Sequence, residues 1–266
     1  MEKITSAQNP KIKNLKRLEK ASERREQNLI LIEGLRETVL AHRAGYEIET
    51  LFICEGVLKT DGEYSLQEVG TQKPETRNFE ITEAVYQSLA YRETTEGVIA
   101  LAKPKNHSLE NLSLKSNALV LVIEAVEKPG NLGAMLRTAD AAGADAVIIC
   151  DGKTDLYNPN VIRSSVGTVF TNQIAVCETA EAISFLKQNN ITTYAAELSA
   201  EKFHYEQNFK SATAMVVGTE ATGLSAEWMG AAAERIKIPM LGKIDSLNVS
   251  VSAAILLFEA VRQRKS

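Results

Sequence analysis

From residue 118 onward the apolar positions fall in short, nearly continuous runs: 119–123 (LVLVI), 146–149 (AVII), 174–176 (IAV), 192–196 (TTYAA), 214–217 (AMVV) and 235–238 (RIKI). Helical stretches lie between several of them, notably 131–143 and 179–189. Unbroken apolar strands alternating with helices predict a parallel sheet covered on both faces. Such sheets bind ligands at the carboxyl ends of their strands, so the loops after 123, 198, 217 and 238 are where chemistry is expected. The last helix, beginning near Asn248, has Val249, Ala253, Leu256, Leu257, Ala260 and Val261 on one face. Val251, Ala254, Ile255 and Phe258 fill most of the rest. A helix apolar nearly all round is buried on more than one side. A second subunit or the N-terminal part of the chain could supply the outer cover.

The first hundred residues read differently. Asn9-Pro10 predicts an N-cap followed by proline at the first helical position, with Ile12, Leu15 and Leu18 as a short apolar stripe. A buried strand is expected at 29–32, a helix from Leu35 to Gly45, strands at 50–54, 78–81 and 97–101, and a helix near 83–90. The expected organisation is a basic helical arm (1–28), a small α/β domain (29–104), a polar linker (105–117) and a doubly covered parallel α/β domain (118–266).

Composition adds little to the class and something to the partner. Apolar residues make up 44% and charged residues 24%, an ordinary globular balance. No run approaches the length of a membrane span, and the N-terminus has no apolar signal segment. The three cysteines, Cys54, Cys150 and Cys177, have no CxxC spacing, so neither a disulfide framework nor a metal site is expected. A cytoplasmic protein is expected. The formal charge of −4 hides an asymmetry: residues 1–28 hold eight Lys/Arg against four Glu. A basic arm on an acidic body suits a polyanion, and Lys11, Lys13, Lys16 and Arg17 are its candidate phosphate contacts. A solvated helix surface would look the same.

Several chemistries are poorly served. No GxGxxG follows a strand, and Leu224 stands where a phosphate loop after Gly218–Gly223 needs lysine. His42, His107 and His204 have no ligand spacing, and no serine or cysteine sits in a nucleophile elbow. Three loop segments remain: 124–143, with Asn131 read as the N-cap of its helix and Arg137 further in; 216–225, a strand ending in two glycines around Glu220; and 238–250, a strand, a loop and the cap of the final helix. An arginine near a helix start beside a Gly-containing turn suits an anionic substrate.

Together and in this order the segments resemble the SpoU, or TrmH, branch of the SPOUT RNA methyltransferases. The motifs are N-x-G-x-x-x-R-T-A from Asn131 to Ala139, G-x-E-x-x-G-L-S from Gly218 to Ser225, and I-P-M through S-L-N-V-S from Ile238 to Ser250. PNVIRSSVG (159–167), whose Arg163 joins the candidate RNA contacts, also looks like a family segment. SAQNPKIK, LIEGLRE and TTEGVIAL look like the substrate-binding domain often attached to it, with Thr94-Thr95 where many members have Pro-Gln. The resemblance implies methyl transfer from S-adenosylmethionine to a ribose 2′-hydroxyl of RNA, a C-terminal sheet with a deep trefoil knot, and a homodimer. It implies active-site roles for Asn131, Arg137, Glu220, Ser246 and Asn248. It also implies cofactor contacts at Leu198, Gly218, Ile238 and Leu247, with no metal. Ribosomal RNA is the expected substrate; transfer RNA, a non-catalytic RNA-binding protein on the same fold, and a small-molecule enzyme are the alternatives.

Overall fold

The computed structural model describes residues 1–58, 63–70, 76–89, 96–219 and 222–265. Its elements, up to the end of the first sheet, are β1 (Glu2–Ile4), α1 (Pro10–Arg17), α2 (Ala21–Gln27), β2 (Ile30–Glu33), α3 (Leu35–Arg43), β3 (Ile48–Ile53), α4 (Leu66–Gly70), β4 (Arg77–Ile81), α5 (Glu83–Gln87) and β5 (Val98–Ala102). Then follow β6 (Leu119–Glu124), α6 (Pro129–Ala142), β7 (Ala146–Cys150), α7 (Pro159–Ser165), α8 (Thr168–Thr171), β8 (Ile174–Cys177) and α9 (Thr179–Gln188). The chain ends with β9 (Thr192–Ala196), β10 (Lys202–Phe203), β11 (Thr213–Val217), α10 (Ala226–Ala231), β12 (Glu234–Lys237) and α11 (Val249–Lys265). No helix among the described residues is long and apolar enough to cross a membrane.

Two compact units result: Met1–Asn106 with Asp155–Thr171, and His107–Thr154 with Asn172–Ser266. These boundaries differ from the expected ones in three ways. The basic N-terminal helices are not a separate arm. Ile12, Leu15 and Leu18 are buried in one cluster with Phe52, Phe79 and Tyr86. The 105–117 stretch is not a free linker, because Leu109, Leu112 and Leu114 pack on the core of the second unit. Finally, 155–171 folds with the first unit. Arg24, 4% exposed, donates through Nε to Asp155 (2.9 Å) and through Nη1 to the carbonyls of Leu18 and Glu19 (both 2.7 Å). The Tyr46 and Tyr157 hydroxyls meet at 3.1 Å, and Tyr46 packs edge-on to Phe170.

The first unit is a mixed five-stranded sheet in the order β1-β4-β3-β5-β2. β4 runs parallel to β1 and β3, while β5 is antiparallel to β3 and β2. Asn9 caps α1 as its sequence predicts, accepting from the Lys11 N–H at 2.9 Å. Glu96 plays a similar part for α3, its carboxylate accepting from the Leu35 N–H at 2.8 Å across the sheet end. Thr94 and Thr95 lie outside the described residues.

The second unit is the predicted parallel α/β sheet, seven strands in the order β10-β12-β9-β11-β6-β7-β8, with every pair parallel. β6, β7 and β11 are buried at every position, which is why they read as unbroken apolar runs. β1 and β10 were not anticipated; at three and two residues they are too short to show alternation. α6 starts earlier than expected. Lys128 is its N-cap, Pro129 takes the first helical position, and Asn131 lies inside the first turn and is not the cap. Its C-terminus follows prediction, with Gly143 left-handed at φ +66°.

Candidate active site

Where β9, β11 and β12 end at the carboxyl edge of the parallel sheet, their loops surround a cleft of about 360 Å³. Val217, Ile236, Ile238, Leu247 and Val249 supply its apolar walls. Its placement follows the rule for open parallel sheets, and its volume falls among small-molecule sites of roughly 300–1,000 Å³.

The loop after β11 is folded tightly on itself. Thr219 and Gly223 exchange backbone hydrogen bonds of 3.2 and 3.1 Å, and Gly223 sits at φ +67°. A Cβ at Gly218 would lie 2.4 Å from the Gly223 carbonyl oxygen, so any side chain there forces the loop open. The close approach that requires Gly218 is therefore to its own loop. Glu220, the acidic member of this motif, lies outside the described residues.

A residue without any motif anchors the same loop. Glu124, at the end of β6 and 4% exposed, accepts from the Ser225 N–H at 2.8 Å and from the Thr179 hydroxyl at 3.1 Å. Ser225 in turn caps α10, accepting from the Trp228 N–H at 3.4 Å. A lone carboxylate after an apolar strand carries no spacing signal, so the sequence could only have suggested Glu124 by its position at a strand end.

The first and third motifs meet directly. Asn248 Nδ2 donates to Asn131 Oδ1 at 3.1 Å, while Asn248 Oδ1 accepts from the Ser250 N–H (2.9 Å) and hydroxyl (2.6 Å). This bond ties the first turn of α6 to the start of α11. Arg137, further along α6, is exposed and has no hydrogen-bond or ion-pair partner among the described residues. Neither Asn131 nor Arg137 lines the cleft, whereas Ser246, Leu247, Gly218, Ile238 and Leu198 do. Ser246 is exposed, its hydroxyl donating to Asp245 at 3.2 Å, and Leu198 stands at the rim with 61% of its surface open.

Lys11, Lys13, Lys16 and Arg17 lie in the first unit, all on the exposed face of α1, and Arg163 is exposed on α7 of that unit. Lys11 lies 3.6 Å from Glu2 and Arg17 2.9 Å from Glu23. Among the described residues, no group of three His, Cys, Asp or Glu side chains is placed to hold a metal ion.

The cleft suits an adenosyl cofactor. Its branched aliphatic walls match a purine, and the loop backbones at its rim offer the amide and carbonyl groups that a bent nucleoside needs. Leu198, Ile238 and Leu247, with the Gly218 loop, would hold it.

Sheet, cleft and paired loop motifs define a cofactor-dependent α/β enzyme. The SpoU rRNA Methylase family matches residues 118–258, and the MRM3-like substrate binding domain matches residues 9–100. Over 259 residues the chain is 32% identical to the 23S rRNA (guanosine(2553)-2′-O)-methyltransferase of Bacillus subtilis strain 168, covering 97% of this chain and 98% of that one. It superposes on a crystal structure of an RNA 2′-O ribose methyltransferase with a TM-score of 0.86 and 44% identity, covering 99% of this chain and 100% of the other. The AdoMet-bound rRNA methyltransferase of Sinorhizobium meliloti gives a TM-score of 0.88 at 27% identity, with 98% and 97% covered. The chain belongs to the SpoU rRNA methylase family and is an S-adenosylmethionine-dependent methyltransferase.

Proposed function

We propose that this chain methylates the ribose 2′-hydroxyl of a nucleotide in 23S ribosomal RNA, acting as a cytoplasmic homodimer. The observation that carries this reading is the Asn248–Asn131 hydrogen bond, which joins two motifs separated by 117 positions next to the cofactor cleft. The B. subtilis relative, similar over almost the whole chain, is a 23S rRNA methyltransferase, which supports ribosomal over transfer RNA. The trefoil knot belongs to the same proposal.

When bound, S-adenosylmethionine supplies an activated sulfonium methyl group. The protein's own task is then to position the ribose hydroxyl and to manage its proton. Arg137 is exposed and has no partner among the described residues, which leaves its guanidinium available to clamp a phosphate at two points and to stabilise the developing alkoxide. A guanidinium is a donor without acceptor capacity, which suits the clamp better than the part of base. Asn131 and Asn248 hold the ends of α6 and α11 together, so that Arg137 and the 238–248 loop keep one geometry. Ser246 at the cleft edge orients the substrate side of that loop. Lys11, Lys13, Lys16, Arg17 and Arg163 attract the RNA backbone. The outer face of α11 carries the dimer contact, because Val251 and Phe258 stand 45% and 47% exposed there.

Mapping 2′-O-methyl groups in 23S rRNA from cells with and without the gene tests the substrate; a single site that disappears with the gene is the expected result. Arg137→Ala is expected to lose at least about a hundredfold in methyl transfer while binding S-adenosylhomocysteine like the wild type. Arg137→Lys should fail similarly, since an ammonium cannot make the planar two-point contact. Near-normal turnover by either variant contradicts the clamp.

A further inference from the structure

We propose that Glu197 binds the ribose hydroxyls of the adenosyl cofactor. The inference rests on the methyltransferase reading above and adds a polar anchor to a cleft otherwise described by its apolar walls.

Glu197 follows β9 directly, and its backbone N–H donates to the Ile236 carbonyl at 2.9 Å. That bond continues the β9–β12 ladder by one residue, so the Glu197 Cα is held by the sheet and not by a loop. Among the described residues lining the cleft, Glu197 is the only carboxylate. Its two oxygens differ. Oε1 accepts from the Ser199 hydroxyl, which fixes the plane of the group. Oε2 is buried and has no hydrogen-bond partner among the described residues. The Arg235 guanidinium comes no closer than 3.7 Å, beyond hydrogen-bond reach, and is itself 57% exposed.

A carboxylate oxygen withdrawn from water needs a donor. Here the cleft has to supply it. A nucleoside presents two adjacent hydroxyls, both donors, and a carboxylate at the carboxyl end of a parallel strand is the usual partner for such a diol in cofactor-binding α/β sheets. The surrounding groups fit that assignment, because the described lining residues offer no other anionic acceptor for the sugar once the purine is seated. The competing donor on the same cofactor is the ammonium of its methionyl end. The two are separable, since adenosine has the hydroxyls and lacks the ammonium.

The test is a binding experiment on the full-length protein, with S-adenosylhomocysteine, adenosine and 2′,3′-dideoxyadenosine titrated by calorimetry, the weaker ligands in competition. Wild type is expected to prefer adenosine over the dideoxy analogue by about tenfold or more, as for hydrogen bonds to a charged acceptor. E197A should bind both analogues alike, at the affinity wild type shows for the dideoxy compound. E197Q, which keeps one acceptor and the same shape, should fall between. R235A should keep the full wild-type preference. Equal weakening of both analogues in E197A, or an unchanged preference, overturns the proposal in favour of a purely structural carboxylate. A loss confined to S-adenosylhomocysteine overturns it in favour of the ammonium. If wild type binds no S-adenosylhomocysteine, the methyltransferase reading fails with it.

Discussion

Helices α1 and α11 each bury one face and leave another open, yet their open faces differ in kind. On α1 the exposed positions are Lys11, Lys13, Lys16 and Arg17, with Ile12 and Leu15 underneath. On α11 the exposed positions include Val251 and Phe258, while Val249, Ala253, Leu256, Leu257 and Ala260 are buried. A basic face is stable in water and attracts a polyanion, whereas an apolar face is unsatisfied until another surface covers it. The first face is therefore the proposed RNA contact and the second the proposed dimer contact. Two mutations one residue apart sharpen the contrast on α11. Leu257 is fully buried, so Leu257→Glu is expected to cost about 3–5 kcal/mol and to show as loss of fold in thermal denaturation. Phe258→Glu should keep a near-normal melting temperature for the protomer and shift light scattering to the monomer mass of 29.1 kDa. A Phe258→Glu protein that stays dimeric removes α11 from the interface.

The same contrast explains what could be read from the sequence. An amphipathic helix announces its inner and outer faces, and for α1 the cap, the first proline and the buried stripe all emerge at the expected residues. α11 is apolar nearly all round, so its sequence separated Leu257 from Phe258 by face but could not say which of the two faces the protomer itself covers. The parallel sheet was legible because buried strands must be continuously apolar. What escaped was anything decided by tertiary partners. Residues 155–171 follow β7 in the chain but pack with the first unit, because Tyr157, Asp155 and Phe170 find Tyr46 and Arg24 there. No local pattern encodes that choice. For the same reason, cutting the chain near residue 106 would strip Tyr157 and Phe170 of their cover, so the second unit is not isolated by such a cut. The three loop motifs were legible as a set, while Glu124 and Glu197, single carboxylates at strand ends, were not.

Breaking the basic face of α1 gives the next largest effect. Replacing Lys11, Lys13, Lys16 and Arg17 with Gln removes four exposed cations without touching Ile12 or Leu15. If all four meet phosphates, the slope of log affinity against log salt should flatten by up to about 3, and affinity for RNA of any sequence should fall at low salt. The fold should survive, since the ion pairs lost among the described residues are the exposed Lys11–Glu2 pair and the half-exposed Arg17–Glu23 pair, which contribute little. A filter-binding series with an unchanged salt slope removes α1 from the RNA interface.

The smallest predicted effect concerns two carboxylates held alike, one on α11 and one on α2 beside α1. Glu259 on α11 accepts from Arg262 Nε and Nη2 at 2.9 and 2.8 Å and from Gln263 Nε2 at 2.7 Å. The Arg262 hydrogen bonds, more than that of Gln263 and against the opposing effect of burial, push its carboxyl down to about 2 from an ordinary 4.5. Glu23 on α2 accepts from Arg17 and Gln27, both at 3.0 Å, and its carboxyl is lowered by those two bonds in the same order. A carboxyl lowered in the folded state stabilises the protein above its unfolded value, and that contribution is lost as pH falls through the folded value. For Glu259 the window runs from 4.5 down to about 2. Glu259→Gln should therefore lower the melting temperature near neutral pH, and its difference from wild type should shrink steadily across that window. Gln263 also accepts from the Phe209 N–H at 2.8 Å and donates to the Gln207 carbonyl at 3.0 Å, so Glu259 is tied into the packing of α11. Glu23 links only α1 to α2, and its partner Arg17 is largely in solvent. The shift for Glu259→Gln is expected to be at most about 3 °C, and that for Glu23→Gln smaller still. A Glu23→Gln shift as large as that of Glu259→Gln, or a difference that grows on acidification, contradicts this ranking.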